Sequence, residues 1–162
     1  MTNRKILFVD DEVNILKALQ RLLFLENFEV DVTESPEKAL QLIRQNDYAV
    51  VVSDHRMPSM EGTALLEHTK IISPDSIRIL LTGYADLHAA TTAINEVGVY
   101  KFLSKPWNDT ELVEVLKDAL VKYEAAMEQK FLRFENQSLL HENLLLTQEK
   151  VLQDFESQRG NK

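Results

Sequence analysis

The sequence contains no cysteine. That excludes disulfide frames, thiolate metal sites and cysteine nucleophiles together. Basic residues are also few, 18 Lys and Arg against 26 Asp and Glu, for a net charge of −8. Contact with phosphate backbones needs clustered cations, so a direct nucleic-acid-binding surface is not expected. Long apolar runs are missing as well. The opening MTNRKILFVDD has only Ile6 to Val9 before two aspartates. That is too short for a signal peptide or a membrane span, and a cytoplasmic protein with no membrane attachment is expected. Glycine and proline are sparse, four of each, and neither occurs from Asp109 until Gly160. What is present is 44% apolar residues in 162, enough for the core of one domain with an appendage.

The chain is organised around AVVVSDHRMP, residues 49 to 58. The run Ala49–Val52 has no alternation and a β-branched majority, as in a strand buried on both faces of a parallel sheet. Ser53 and Asp54 stop it, and Pro58 with Gly62 delays the next helix. Ligands of open α/β sheets bind outside the carboxyl ends of the strands. Asp54 stands at such an end and reads as a carboxylate that accepts a phosphoryl group.

Four further strands and five helices surround this run. Ile6–Val9 is a buried strand, followed by a helix on Ile15, Leu16, Leu19, Leu22 and Leu23 with Asp11 or Glu12 at its start. Phe28, Val30 and Val32 alternate with Glu29 and Asp31 in a shallower strand. Ser35-Pro36 opens a helix carried by Ala39, Leu40 and Ile43. A third helix lies around Gly62–Thr69, and strands follow at Ile77–Leu81 and Val99–Leu103. Between these two strands a helix on Leu87, Ala90, Ala93 and Ile94 stops near Gly98. Asn108 and Glu111 form a capping-box variant that opens the last helix. Strict alternation of strand and helix predicts an α/β fold, a doubly wound five-stranded parallel sheet with helices on both faces.

Parallel strands bring Asp10-Asp11, Asp54, Thr82 and Lys105 to one sheet edge. Three crowded carboxylates repel unless a hard cation neutralises them, and oxygen donors suit Mg²⁺, with Mn²⁺ as a substitute. Lys105 supplies a point charge for a phosphoryl oxygen and Thr82 a hydroxyl donor. Attack by a carboxylate on a phosphoryl donor needs mainly positioning and neutralisation, which this group provides. The four histidines, His55, His68, His88 and His141, have no ligand-like spacing and read as ordinary residues. Trp107 reads as a packing residue.

In order and spacing, Asp10-Asp11, Asp54 with Met57-Pro58 and Gly62, Thr82-Gly83 and Lys105-Pro106 resemble the response-regulator receiver domain of two-component signalling, a flavodoxin-like fold. The resemblance covers about residues 3 to 122. It implies that Asp54 is the phosphoacceptor, supplied by a histidine kinase or a phosphotransfer protein. It also implies a Mg²⁺ site of Asp11, Asp54 and the backbone carbonyl of Arg56, with Asp10 acting largely through water. Thr82 and Phe102 take the positions of the family's switch residues. A cis bond between Lys105 and Pro106 is implied too. Arg56 and Tyr84, two residues beyond Asp54 and Thr82, are expected to rim the site and hinder attacking water. SDHRMP with LTGYAD is similar to receivers joined to HD-GYP-type outputs. A haloacid-dehalogenase-like phosphatase is the competing enzyme reading, but residues 10 to 14 read DDEVN, without that family's DxDxT pattern. The resemblance therefore implies a signalling switch rather than an enzyme that turns over substrate.

The apolar positions of the last helix continue through Met127, Phe131 and Phe134, then Leu140, Leu144, Val151 and Phe155. A core needs only its first three turns, leaving about 50 Å of helix at 1.5 Å per residue. The expected layout is a receiver at 1–122, a coiled-coil or linker helix at 123–158 and a disordered tail at 159–162. Homodimerisation through the helix is expected, while Gln137, Ser138 and His141 interrupt its seam. Alternatives remain: the helix folds back on its own domain or docks to another protein, the receiver is cut from a longer regulator, or the chain is an adaptor that works by its helix alone.

Overall fold

The computed structural model describes residues 5–160, apart from the side chains of Tyr84, Ala89, Thr92, Ala93 and Ile94. The inward roles expected of Ala93 and Ile94 and the expected tail residues 161–162 therefore lie outside the described residues. Five parallel strands form one sheet: β1 (Lys5–Val9), β2 (Glu29–Thr33), β3 (Val50–Asp54), β4 (Ile77–Gly83) and β5 (Lys101–Lys105). Their order is β2-β1-β3-β4-β5. The helices are α1 (Val13–Leu23), α2 (Pro36–Gln45), α3 (Gly62–Ile72), α4 (Leu87–Val97) and α5 (Asp109–Arg159). This is the doubly wound arrangement expected from the strand–helix alternation.

Position in the sheet explains each strand's composition. Central β3 is buried at every residue, whereas edge strand β2 is buried only at Thr33. Leu7, Val9, Val51 and Leu80 pack with Ala39, Leu65 and Ala90 of α2, α3 and α4 on one face. The alternate residues Ile6, Phe8, Val50, Val52 and Ile79 are also buried and point the other way, on the side left for the buried faces of α1 and α5. Local chemistry sets the helix starts. Ser35 Oγ accepts the Lys38 amide at 3.2 Å, with Pro36 at the first helical position. Asn108 Oδ1 accepts the Glu111 amide at 3.1 Å. Gly98, at φ 70°, closes α4 in the left-handed region that favours glycine.

Strand boundaries shift by one or two residues from expectation, and register is the cause. β3 runs on through Ser53 and ends on Asp54 itself. β4 continues through Thr82 and Gly83, which pair with Ser104 and Lys105. β5 accordingly begins at Lys101, not Val99. Val99 is buried without belonging to the ladder, and the Tyr100 amide donates to the Arg78 carbonyl at 2.8 Å. A 3-10 turn, Tyr84–Asp86, precedes α4. α3 runs three residues past Thr69, and α5 includes Arg159, placed in the tail by the sequence reading.

The chain divides into two compact units, residues 1–125 and 126–162. Tyr123 is the last buried residue of α5, and every described residue from Glu128 onward is exposed. No helix among the described residues is long and apolar enough to cross a membrane.

Candidate functional site

Register assembles the site. Val9 lies opposite Ser53 and Asp54 opposite Leu81, so Asp10, just past β1, and Asp54, at the end of β3, reach the same sheet edge. Asp10, Asp11 and Asp54 each offer a carboxylate oxygen, all within 4.8 Å of one another. The Gly83–Lys105 pairing brings Lys105 to the same edge. Its Nζ donates to Asp10 Oδ2 at 2.6 Å and lies 3.1 Å from Asp54 Oδ1. Asp10 Oδ1 also accepts the Glu12 amide at 2.9 Å, which ties the acidic pair to the start of α1.

Three carboxylates share one ammonium, so negative charge is in excess where solvation is poor. Burial pushes the Asp54 carboxyl above its ordinary value, and the Asp10 charge adds to the effect; Lys105 offsets only part of it. For Lys105 burial is the largest single influence and pulls downward, yet the Asp10 and Asp54 carboxylates together hold its ammonium above the ordinary lysine value. Asp11 Oδ1 is buried and has no hydrogen-bond partner among the described residues. An orphaned carboxylate oxygen beside two more carboxylates is a costly arrangement unless a cation completes it. An all-oxygen donor set fits a hard dication.

The remaining site residues lie around this cluster with differing involvement. Thr82 is fully buried at the end of β4, and its hydroxyl donates to the Gly83 carbonyl at 3.2 Å rather than into the acidic cluster. Phe102 is half-buried against the core cluster that contains Ala90 and Val97 of α4. The Lys105–Pro106 bond is cis. The Arg56 side chain is exposed and donates to Asp86 Oδ1 at 2.6 Å, joining the loop after β3 to the turn after β4. The Tyr84 side chain, expected at the rim, lies outside the described residues. A cleft of about 550 Å³ opens beside the cluster, lined by Asp11, His55, Arg56, Met57, Pro58, Glu61 and Asp86.

Asp86 and His55 had no functional reading in the sequence. Asp86 is the partner of Arg56, and only an acid at the start of a helix signalled it. His55, read as ordinary, is buried next to Asp54 with its Nδ1 unpartnered among the described residues. Gly62 has a steric reason: its amide donates to the His55 carbonyl at 2.8 Å, and a Cβ there would collide with the Asp54 carbonyl oxygen. Trp107 is half-buried, and its indole donates to Asp109 Oδ1 at 3.1 Å.

A doubly wound sheet that carries an acidic trio and a lysine at its carboxyl edge defines a flavodoxin-like receiver, the class of phosphoaccepting signalling switches. The family model for the response regulator receiver domain matches residues 6–117, and the chain belongs to that family. It is 35% identical over 118 residues to the hydrogenase transcriptional regulatory protein HoxA of Bradyrhizobium diazoefficiens, a match covering 73% of this chain and 24% of that protein. The match thus spans about a quarter of this relative's length. The structure resembles that of adenylate cyclase from Rhodopirellula baltica (TM-score 0.77, 37% identity, 80% of this chain and 96% of the other). It also resembles the signal receiver domain of an HD domain-containing protein from Pseudomonas fluorescens Pf-5 (TM-score 0.75, 37% identity, 79% and 94%).

Proposed function

We propose that this chain is a phosphorylation-driven switch in which Asp54 takes a phosphoryl group from the phosphohistidine of a histidine kinase or phosphotransfer protein. The observation that carries this reading is the trio of Asp10, Asp11 and Asp54 within 4.8 Å, bridged by Lys105. An Asp54 carboxylate oxygen attacks phosphorus. The donor's P–N bond breaks, and its electron pair returns to the imidazole nitrogen, which takes a proton from water. Held by Asp10, Asp11, Asp54 and the Arg56 backbone carbonyl, Mg²⁺ would neutralise the carboxylates and the incoming phosphoryl oxygens. Lys105 holds one phosphoryl oxygen. The Thr82 hydroxyl leaves the Gly83 carbonyl for another, and Phe102 moves into the space that Thr82 vacates. Arg56 at the mouth slows the attack of water on the acyl phosphate, and Tyr84, two residues beyond Thr82 in the sequence, is assigned the same role. The chain turns over no separate substrate and acts in the cytoplasm.

Residues 1–122 form the switch in this reading, and the exposed apolar positions of 123–158 pair with a second copy of the chain. A change at β5 and α5 then alters that pairing or the surface beside it. The test is solution mass by light scattering with Mg²⁺, before and after addition of beryllofluoride as a phosphoryl mimic. A change in mass or shape that is lost in Asp54→Ala is expected. Phosphoryl uptake that persists in Asp54→Ala would overturn the assignment. A second reading is supported by the greater length of relatives such as HoxA: α5 carries the signal to an output module. Partner binding that ignores Asp54→Ala would favour an adaptor acting by its helix alone.

A further inference from the structure

From Glu128 onward every described residue of α5 is exposed, and Phe131, Phe134, Leu145, Leu152 and Phe155 are 47–70% accessible. In this stretch glutamate recurs at every seventh residue: Glu128, Glu135, Glu142, Glu149 and Glu156. Seven residues is the period at which helices wind around one another. With Phe131 at position a of a heptad abcdefg, the a column reads Phe131, Ser138, Leu145 and Leu152. The d column reads Phe134, His141, Gln148 and Phe155. Position f, farthest from such a seam, reads Gln129, Asn136, Asn143, Lys150 and Ser157, without one apolar residue. Every glutamate of the series then falls at e. The other flank, g, reads Lys130, Gln137, Leu144, Val151 and Gln158, without one acid.

The two flanks decide direction. In a parallel pair each e position faces a g position of the partner; in an antiparallel pair e faces e and g faces g. Antiparallel pairing would lay the glutamate column against its own copy, with residue 142 opposite 142 and 135 opposite 149. Parallel pairing sets each glutamate beside a neutral or basic residue. We propose that residues 126–159 pair with a second copy of this chain as a parallel, in-register coiled coil, and that the glutamate column rejects the antiparallel alternative. The inference rests on the helix-pairing reading above and adds its direction. Ser138, His141 and Gln148 in the seam weaken the pair and hold it to one register. Such a pair can be separated by a modest change at its start, as a switch requires.

The chain has no cysteine, so one introduced thiol reports without background. Leu152→Cys and Phe131→Cys, each under mild oxidation, should form disulfide-linked dimers. Asn143→Cys, on the outer face, should cross-link at least about tenfold more slowly, because disulfides do not span Cα separations beyond about 7 Å. An antiparallel pair aligned on the glutamate column would hold the two copies of residue 152 about 30 Å apart, at 1.5 Å per residue. It would instead link Phe131→Cys chains to Leu152→Cys chains when the two variants, one mass-tagged, are mixed. Like-with-like products support the proposal, and mixed products overturn the direction while leaving helix pairing intact. A monomer by light scattering at tens of micromolar, for wild type and both variants, overturns helix pairing itself. Far-UV circular dichroism identical to wild type confirms that each variant is folded.

Discussion

At each end of the sheet charge gathers around one lysine, and the two clusters differ in completeness. At the amino end Lys5 Nζ lies 3.3 Å from Asp31 Oδ2 and 3.7 Å from Glu29 Oε1, and donates to Asn46 Oδ1 at 3.3 Å. The Tyr48 hydroxyl donates to Asp31 at 2.6 Å, and Ser76 donates to the Tyr48 carbonyl. Burial, followed by the hydrogen bond to Asp31, pushes the Tyr48 phenol far above its ordinary value, so it remains a donor at all working pH values. At the carboxyl end Lys105 meets two carboxylates, and a buried oxygen of Asp11 is left without a partner. The first cluster matches donors to acceptors and joins β1, β2 and the segment before β3. The second has surplus acceptors and is chemically unfinished. Charge at a strand end becomes a site when the protein leaves it unpaired.

The largest effect that tests this contrast is metal-linked stability. At about 100 times its dissociation constant Mg²⁺ should raise the unfolding free energy by about 2.7 kcal/mol, measured by urea denaturation. Asp11→Asn should remove that gain and Tyr48→Phe should keep it. The metal-free protein should also depend on pH. The native Asp54 carboxyl lies above its ordinary value of 3.8, so the native state binds its proton more tightly than the unfolded chain. That stability is present below the ordinary carboxylate range and lost as pH rises through the native value. In chelator, Asp54→Asn should therefore flatten the acid side of the stability profile and make the neutral protein more stable than wild type.

Next in size is Tyr48→Phe, which removes one hydrogen bond to a charged acceptor and should cost about 1.5 kcal/mol. Phosphorylation by a small-molecule phosphodonor should proceed at the wild-type rate. A slowed rate would mean that the two ends are not independent. The smallest effect is expected for Asp86→Ala. Its ion pair with Arg56 is solvent-facing, with the Arg56 side chain 75% accessible, so the melting temperature should not move. The lifetime of the acyl phosphate should shorten a few-fold as Arg56 swings free, and an unchanged lifetime would remove Arg56 from the shielding role.

The amino-end cluster had no signal in the sequence, whereas much of the carboxyl-end site was legible there. Asp54 was legible because a run of valines ended on it, and Ser35-Pro36 because a cap acts within three residues. Lys5, Asp31 and Tyr48 meet only after β1 and β2 pair, at separations that periodicity does not sense. The same holds for Arg56 and Asp86, thirty residues apart. The start of β5 is not legible in the sequence, because Val99 and Tyr100 extend its apolar run although ladder pairing with β4 begins only at Lys101. His55 was passed over because its burial follows from the turn after Asp54, not from its own spacing. The bond from the Thr82 hydroxyl to the Gly83 carbonyl is a choice of rotamer that no pattern of residues reveals.

Gly62 leaves no room for a Cβ against the Asp54 carbonyl. Its consequence would be seen in a saturation mutagenesis library rather than in an assay of any one property. Position 62 has an alphabet of one letter, although it lies eight residues from Asp54 and carries no reactive group. Every other residue there would displace the backbone of Asp54 itself. Selection for signalling would then clear the position as thoroughly as it clears 54, and a reader of the surviving variants would mistake a matter of space for one of chemistry.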